Sequence, residues 1–174
     1  MAAAAQTTLA EPTPTNAAKS AIYKFASQLA EKLGYDSASD LEGIVGRLGG
    51  EIRYTDWGLE DDGGSLEVCP DQTPGFIIRL HTFAGKLRNR FTIAHELGHY
   101  FLHSDGGQKR MVVNRAGSGR LEWEANWFAG AFLLPEERFR KDWERYGHCA
   151  TRIASVYKVS VAVVEIRCEE LGLK

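Results

Sequence analysis

The stretch that decides the fold reads RFTIAHELGHYFLH and occupies residues 90–103. Its apolar residues recur at steps of three and four and cover several faces, which is typical of a buried helix. His95 and His99 lie four residues apart, so their imidazoles share one face and can reach one metal ion. Two buried histidines would be costly without a partner, and a metal ion provides one. The sequence therefore predicts a metal site with His95 and His99 as ligands.

Glu96 follows His95 directly and is rotated from it by about 100° on the helix. At that angle it cannot easily join the two histidines as a ligand, but it can take a proton from a metal-activated water molecule. The metal, the two histidines and this carboxylate divide the work that zinc-assisted hydrolysis needs. We therefore expect Glu96 to be the catalytic base and Zn²⁺ to be the cofactor.

A catalytic zinc ion usually takes three protein ligands, so a third is needed. His103 would lie about 12 Å from His95 along a straight helix, which is too far to share one ion. The longer pattern that ends in a third histidine turns at a glycine, and here Leu102 stands at the glycine position and Asp105 at the ligand position. We therefore look for the third ligand on another helix.

Residues 121–135 are apolar nearly all round, which indicates a core helix ending before Pro135. On it, Glu122 is expected to complete a His, His, Glu site. Asn126, four residues on, is expected to accept the free ring N–H of a liganding histidine. Glu124 lies about 200° around the helix from Glu122 and is expected to be a solvated or capping carboxylate.

Two motifs together resemble those of the ImmA/IrrE family of metallopeptidases. They are His-Glu-Leu-Gly-His-Tyr-x-Leu-His, starting at residue 95, and Glu-x-x-Ala-Asn-x-Phe-Ala-x-x-x-Leu-x-Pro, starting at residue 122. The resemblance covers roughly residues 20–172. It implies zinc binding by His95, His99 and Glu122, catalysis by Glu96, and cleavage of a helix-turn-helix repressor. Such cleavage releases genes for stress response or mobile-element transfer.

A zinc hydrolase also needs a donor to the oxyanion besides the metal. Spacing does not choose between the candidates, which are Arg90, Tyr100, His103, His148 and His81. His103 is expected to stabilise the last carbonyls of its helix. Family members often carry an asparagine where this chain has His81, and we expect His81 either to face the cleft or to be an exposed loop residue.

The rest of the chain predicts a single α+β domain with a helical core that carries the His-Glu-x-x-His helix. Two N-terminal helices are expected, from Lys19 to Gly34 and after a Ser39–Glu42 capping box. A small, mainly antiparallel sheet and a helical remainder follow; the strands are expected at 51–54, 65–68 and 76–80, and the helices at 86–103, 120–134, 136–146, 151–157 and 160–171. Residues 1–17 are expected to be a flexible tail before a domain at 18–174. The strand at 75–80 is expected to offer an edge for an extended substrate.

Composition limits the function classes. The 21 Lys+Arg and 23 Asp+Glu give a net charge of −2, which argues against a protein that coats nucleic acid or anionic lipid. The three cysteines are far apart and are expected to be reduced. Neither a signal peptide nor a stretch of about 20 apolar residues is recognised, so we expect a cytoplasmic protein without a membrane partner.

Two alternatives to the enzyme stay open. One is a regulatory binding protein that keeps the metal site without proteolysis. The other is a helix-turn-helix DNA-binding module through residues 151–171, although Lys158 stands at the usual turn glycine and the second helix lacks base-reading side chains. Direct nucleic-acid binding is therefore not expected.

Overall fold

The computed structural model of the chain describes residues 9–37, 39–56, 64–114 and 119–173. These residues form one mixed α+β domain, as predicted. Its elements, in chain order, are α1 Lys19–Lys32, α2 Leu41–Arg47, β1 Gly50–Thr55, β2 Ser65–Val68, β3 Phe76–His81, α3 Lys86–His103, β4 Met111–Asn114, α4 Arg120–Leu133, α5 Glu136–Arg145, α6 Ala150–Tyr157 and α7 Val161–Leu171.

The sheet has the strand order β1-β3-β2-β4. β1 runs parallel to β3, whereas β2 is antiparallel to both β3 and β4, so the sheet is mainly antiparallel, as predicted. The prediction that β3 offers an open edge is wrong, because β1 and β2 pair with its two sides. Within the described residues the outer strands are β1 and β4. β4 was missed because Met111, Val112 and Val113 are all apolar, so its four residues show no alternation of apolar and polar side chains.

The N-terminal helices form where predicted, but the second starts from a different cap. Asp40 is the N-cap of α2, and its carboxylate accepts the backbone N–H groups of Glu42 and Gly43. Ser39 instead bonds Asp36 through its hydroxyl. The predicted Ser39–Glu42 capping box is therefore wrong by one residue, since aspartate is an equally good cap and stands next to the helix.

The core lies where α4 packs between α3 and α1 and where α3 covers the sheet. Fully buried apolar side chains from these elements fill it, among them Ala26, Leu66, Ile78, Leu97, Phe128 and Phe132. α7 buries Val164, Arg167 and Cys168 on one face, and the Arg167 guanidinium donates to the Leu134 carbonyl at the end of α4. The C-terminal helix pair therefore packs on the core. Of the helices in the described ranges, none combines the length and apolar character needed to cross a membrane.

The segment before α1 is described from residue 9 onward; residues 1–8 of the predicted tail lie outside the described part. Ala10 donates its N–H to the Arg110 carbonyl. Thr15 and Asn16 donate to the carboxylate of Glu124 on α4. Flexibility of residues 1–17 stays a prediction, but these bonds connect their second half to the helical core.

Candidate metal centre

Helices α3 and α4 cross at Gly98, and this crossing builds the site. A Cβ atom at Gly98 would lie 3.1 Å from the Cα and carbonyl O of Ala125 and 3.2 Å from the Cβ of Phe128. Such contacts are tighter than side chains normally accept, so glycine at this point lets the two backbones approach closely. The close approach brings the histidine face of α3 against the first turn of α4, where Glu122 lies.

The structure brings His95, His99 and Glu122 together. The Nε2 atoms of the two histidines are 3.1 Å apart, and they lie 3.2 Å and 3.4 Å from the two carboxylate oxygens of Glu122. Donors that each lie about 2.0–2.1 Å from one tetrahedral ion are about 3.3 Å apart, which is close to these separations, so the three side chains can face a single ion. All three residues are buried. The donor set suits a metal that binds nitrogen and oxygen.

The protonation states also suit metal binding. Burial lowers the pKa of His99 to about 4, so its imidazole is neutral at pH 7, which is the form that binds a metal. Burial by itself would raise the pKa of Glu122, but the adjacent imidazoles of His95 and His99 outweigh it and the pKa is lowered. Glu122 is therefore an anion beside the neutral ring of His99.

Asn126 orients one of the rings, in the role predicted for it. Its side-chain oxygen lies 2.9 Å from Nδ1 of His95. An amide oxygen can only accept, so this contact places a proton on Nδ1 and leaves the Nε2 lone pair facing Glu122 and His99. The residue that fixes the His95 tautomer comes from one turn beyond Glu122 on the same helix.

Glu96 is buried on α3 and is not a member of the three-residue cluster. Its carboxylate lies against Gly64 at the start of β2: a Cβ atom at Gly64 would be 2.9 Å from Oε1 of Glu96 and would overlap the Thr92 methyl group. Gly64 is therefore a site residue that the sequence analysis missed. A Gly-Gly pair beside a short strand indicates a turn and carries no signal of a close approach to a residue 32 positions later.

Two predictions about the far end of α3 are wrong. His103 is buried, and its ring contacts His99 and Glu124 rather than the carbonyls at the helix end. Glu124 is completely buried and is not solvated. Burial by itself would raise the pKa of Glu124, but donors from Arg120 and Thr15 outweigh it and hold the pKa at about 2. Both errors have one cause: each side chain also has a partner on another element, Glu124 for His103 and Thr15 for Glu124, 21 and 109 residues away in the chain, which helical periodicity does not relate.

The other candidate donors have different surroundings. Arg90 donates to the carbonyls of Ser39 and Ser37 and to the Tyr35 hydroxyl, which secures the segment before α2. His148 is exposed, and Nε2 pairs with Glu144. A role of Arg90 or His148 as the oxyanion donor stays a prediction.

Tyr100 and His81 lie closer to the sheet. The Tyr100 ring packs on Phe76, and its hydroxyl lies against Gly107 in the turn after α3. His81 ends β3, is buried, and accepts the backbone N–H of Phe83 through Nδ1. The expectation that His81 is an exposed loop histidine is therefore wrong. The structure does not add either residue to the metal-ligand cluster.

Comparison with known proteins agrees with this geometry. The family model described as Peptidase M78, IrrE N-terminal-like domain, matches residues 45–169. Metallopeptidase ImmA of Bacillus subtilis (strain 168) is 27% identical over 95 residues, which are 53% of this chain and 56% of that protein. A solved structure, a Mycobacterium tuberculosis transcriptional regulator, aligns with a TM-score of 0.60 and 16% identity, covering 83% of this chain and 45% of that one. The chain thus spans about half the length of these two proteins, and the second likeness shows the fold alone.

Proposed function

Because the chain belongs to the ImmA/IrrE family of metallopeptidases, we propose that it is a zinc-dependent endopeptidase with His95, His99 and Glu122 as metal ligands. The observation that carries the proposal is the convergence of two imidazoles and one carboxylate between α3 and α4. Two histidines and a glutamate are a common ligand set of catalytic zinc, because three protein ligands leave a position open for water or substrate.

In this proposal the chain's own residues supply the proton transfers. A zinc ion at the cluster would lower the pKa of a water molecule and polarise the peptide carbonyl. Glu96 accepts the proton of the attacking water and returns it to the leaving amine. Burial of Glu96 beneath Gly64 limits the motion of the carboxylate. Asn126 keeps the proton of His95 on Nδ1, so that Nε2 is available as a ligand.

We assign the unpaired edge of β4 as the place where the substrate binds. β4 pairs with β2 on one side, and the described part of the chain contributes no strand to the other. Asn114 at the end of β4 is opposite Ser65, and Ser65 follows Gly64, which lies against Glu96. An extended peptide that adds to this edge through backbone hydrogen bonds would therefore pass close to the base.

We assign a protein substrate of regulatory type, a helix-turn-helix repressor, cleaved in the cytoplasm. The motif resemblance supports this substrate, and a solved structure of similar fold is titled a transcriptional regulator. Cleavage of such a repressor would release the genes that it holds silent, in stress response or mobile-element transfer.

The proposal is tested with Glu96→Gln, which keeps the size of the side chain and removes the proton acceptor. Removal of a general base costs about 10²- to 10⁴-fold in rate, so cleavage should fall below detection while zinc is retained. Expressed in the native cell, the variant should capture an intact repressor-like protein that the wild type yields as fragments. The captured protein, once purified, should be cut by the zinc-loaded wild type and protected by a chelator.

The matched control is Glu137→Gln, an equal change on the exposed face of α5, which should cleave like the wild type. Equal recovery of the same uncut partner by wild type and Glu96→Gln, with equal zinc content, would refute proteolysis. The regulatory binding protein without proteolysis would then be the better description of the chain.

A further inference from the structure

A chain of hydrogen bonds leads from the metal-ligand cluster to the opposite end of α3. Nδ1 of His99 lies 2.9 Å from Nδ1 of His103, and Nε2 of His103 lies 3.2 Å from Oε2 of Glu124. All three side chains are buried, with Glu124 at 0% and His103 at 4% exposure. Bulk water therefore does not compete for these bonds, and each polar atom depends on its protein partner.

The position of the proton in each hydrogen bond follows from the Glu124 carboxylate at one end of the chain. A carboxylate only accepts, so Nε2 of His103 carries a proton and donates it to Glu124. In the neutral ring, Nδ1 of His103 is then an acceptor, and Nδ1 of His99 must donate to it. That leaves the Nε2 lone pair of His99 facing Glu122, 3.4 Å from its nearer oxygen. Each bond fixes the tautomer of the next ring.

Glu124 is in turn held by residues outside α3. The Arg120 guanidinium donates to Oε1 at 2.8 Å, the N–H of Asn16 donates to Oε1 at 2.9 Å, and the N–H and hydroxyl of Thr15 both donate to Oε2 at 2.8 Å. Arg120 also donates to the Ala17 carbonyl, which connects the same turn to α4. The carboxylate thus has a fixed position and orientation, as an anchor for a hydrogen-bond chain needs.

We propose that His103 and Glu124 form a positioning pair for His99, which fixes its tautomer and ring orientation for metal binding, and that the turn at Thr15 and Asn16 secures this pair. The inference rests on the proposed metal site. The two histidine ligands are then oriented in different ways. His95 is oriented by the neutral amide of Asn126, whereas His99 is oriented by the charged Glu124 through the imidazole of His103.

A purely structural role for the pair is the rival explanation, because removing one partner of a buried polar pair also destabilises the fold. A measurement of zinc affinity distinguishes the positioning role from the purely structural role. Outer partners of metal-binding histidines typically contribute 10- to 100-fold in affinity, whereas a stabilising contact elsewhere changes unfolding and leaves the affinity of the folded protein unchanged.

The experiment measures the zinc dissociation constant of the full-length protein by competition with a chromophoric chelator. His103→Leu, which fills a similar volume without polar atoms, should bind zinc about 10- to 100-fold more weakly. His103→Gln can still accept from His99 and donate to Glu124, so its affinity should be mostly restored. Glu124→Gln, which loses the charged acceptor, should fall between them and provides the test if His103→Leu does not fold.

Tyr157→Phe is the matched control, because it removes the hydrogen bond that the Tyr157 hydroxyl donates to Asp142 on α5. It should lower the melting temperature and leave zinc affinity unchanged. The visible spectrum of the cobalt-substituted protein gives a second readout, which should change in His103→Leu and not in Tyr157→Phe.

The outcomes separate this inference from the proposed function. Zinc affinity within twofold of the wild type in folded His103→Leu or Glu124→Gln overturns the positioning pair and leaves the metal site standing. Equal losses in His103→Leu and His103→Gln overturn it as well, since a hydrogen-bonding role predicts rescue. A folded wild type that binds no zinc refutes the proposed function itself.

Discussion

The helix pair α3 and α4 differs from helix α5 in where its charged and titratable side chains lie. Between α3 and α4 these groups are buried; they are His95, His99, His103, Glu122 and Glu124. On α5 and just beyond it, two ion pairs lie on the surface at helical spacing: Glu136–Arg140 and Glu144–His148. Burying an ion pair carries a large desolvation cost, so a buried pair is weak evidence that the pair stabilises the fold. An exposed pair loses little hydration and contributes little to folding stability. The difference indicates that the interior groups are retained for chemistry.

The largest effect is expected where the interior cluster loses a ligand. Zinc sites bind with about 10–16 kcal/mol shared among their ligands, so Glu122→Gln should weaken zinc binding on the order of 10²- to 10³-fold. Chelator competition measures the change, with Glu137→Gln on α5 as the exposed control. Full zinc affinity in Glu122→Gln together with loss in Asp105→Asn would show that the third ligand has been assigned to the wrong residue.

A smaller loss is expected from the residue that orients His95. Asn126→Leu removes the acceptor for the His95 ring N–H, and zinc affinity should fall about 10- to 100-fold. Asn126→Asp keeps an acceptor at the same place and should bind zinc at least as tightly as the wild type. Titration of both variants with zinc checks this, and an Asp variant as weak as the Leu variant would contradict the role of Asn126.

Gly64 tests the packing around Glu96 rather than the metal. The Cβ of Gly64→Ala would meet Glu96 and the Thr92 methyl group. Overpacking of this kind costs about 1–3 kcal/mol of folding stability. Because it also displaces the Glu96 carboxylate, cleavage of the captured partner should slow while zinc content stays at the wild-type level. Thr92→Ser removes the methyl group, and the double variant should regain part of the rate. A double variant no faster than Gly64→Ala would mean that the loss has another cause.

The smallest effect belongs to the surface pairs of α5. Glu136→Gln breaks the pair with Arg140, whose side chains are 46% and 43% exposed respectively. Exposed pairs at this spacing contribute about 0.3–0.5 kcal/mol, so the urea midpoint should shift only slightly and zinc affinity should not change. A loss above about 1 kcal/mol would remove the contrast between the two regions.

The same contrast explains what could be predicted from the sequence. The helix at Lys86–His103 was predicted close to its observed bounds, because its apolar residues repeat with helical period. His95 and His99 follow from spacing on that helix, and Glu122 from the buried character of the next. The anchor at Glu124 could not be predicted, since its donors Thr15 and Asn16 lie more than 100 residues away in the chain.

The C-terminal helices were predicted from the residues at their ends. The three helices α5, α6 and α7 were expected within one or two residues of their observed ends, because proline, glycine and cap residues punctuate them. Arg167 is the exception there: it is buried and donates to the Leu134 carbonyl. From sequence alone, an arginine on a helix is predicted to be exposed unless its partner is known. The partner of Arg167 lies on another element.

The central claim is that the buried polar groups between α3 and α4 form one zinc site with two imidazoles and one carboxylate. X-ray absorption at the zinc edge, on protein loaded with one equivalent of zinc, tests it most directly. The account predicts nitrogen and oxygen neighbours at about 2.0–2.2 Å, an outer-shell signature of two imidazole rings, and no sulfur. A sulfur neighbour at about 2.3 Å, which would place zinc on Cys69, Cys149 or Cys168, or a spectrum with no imidazole contribution, would contradict it.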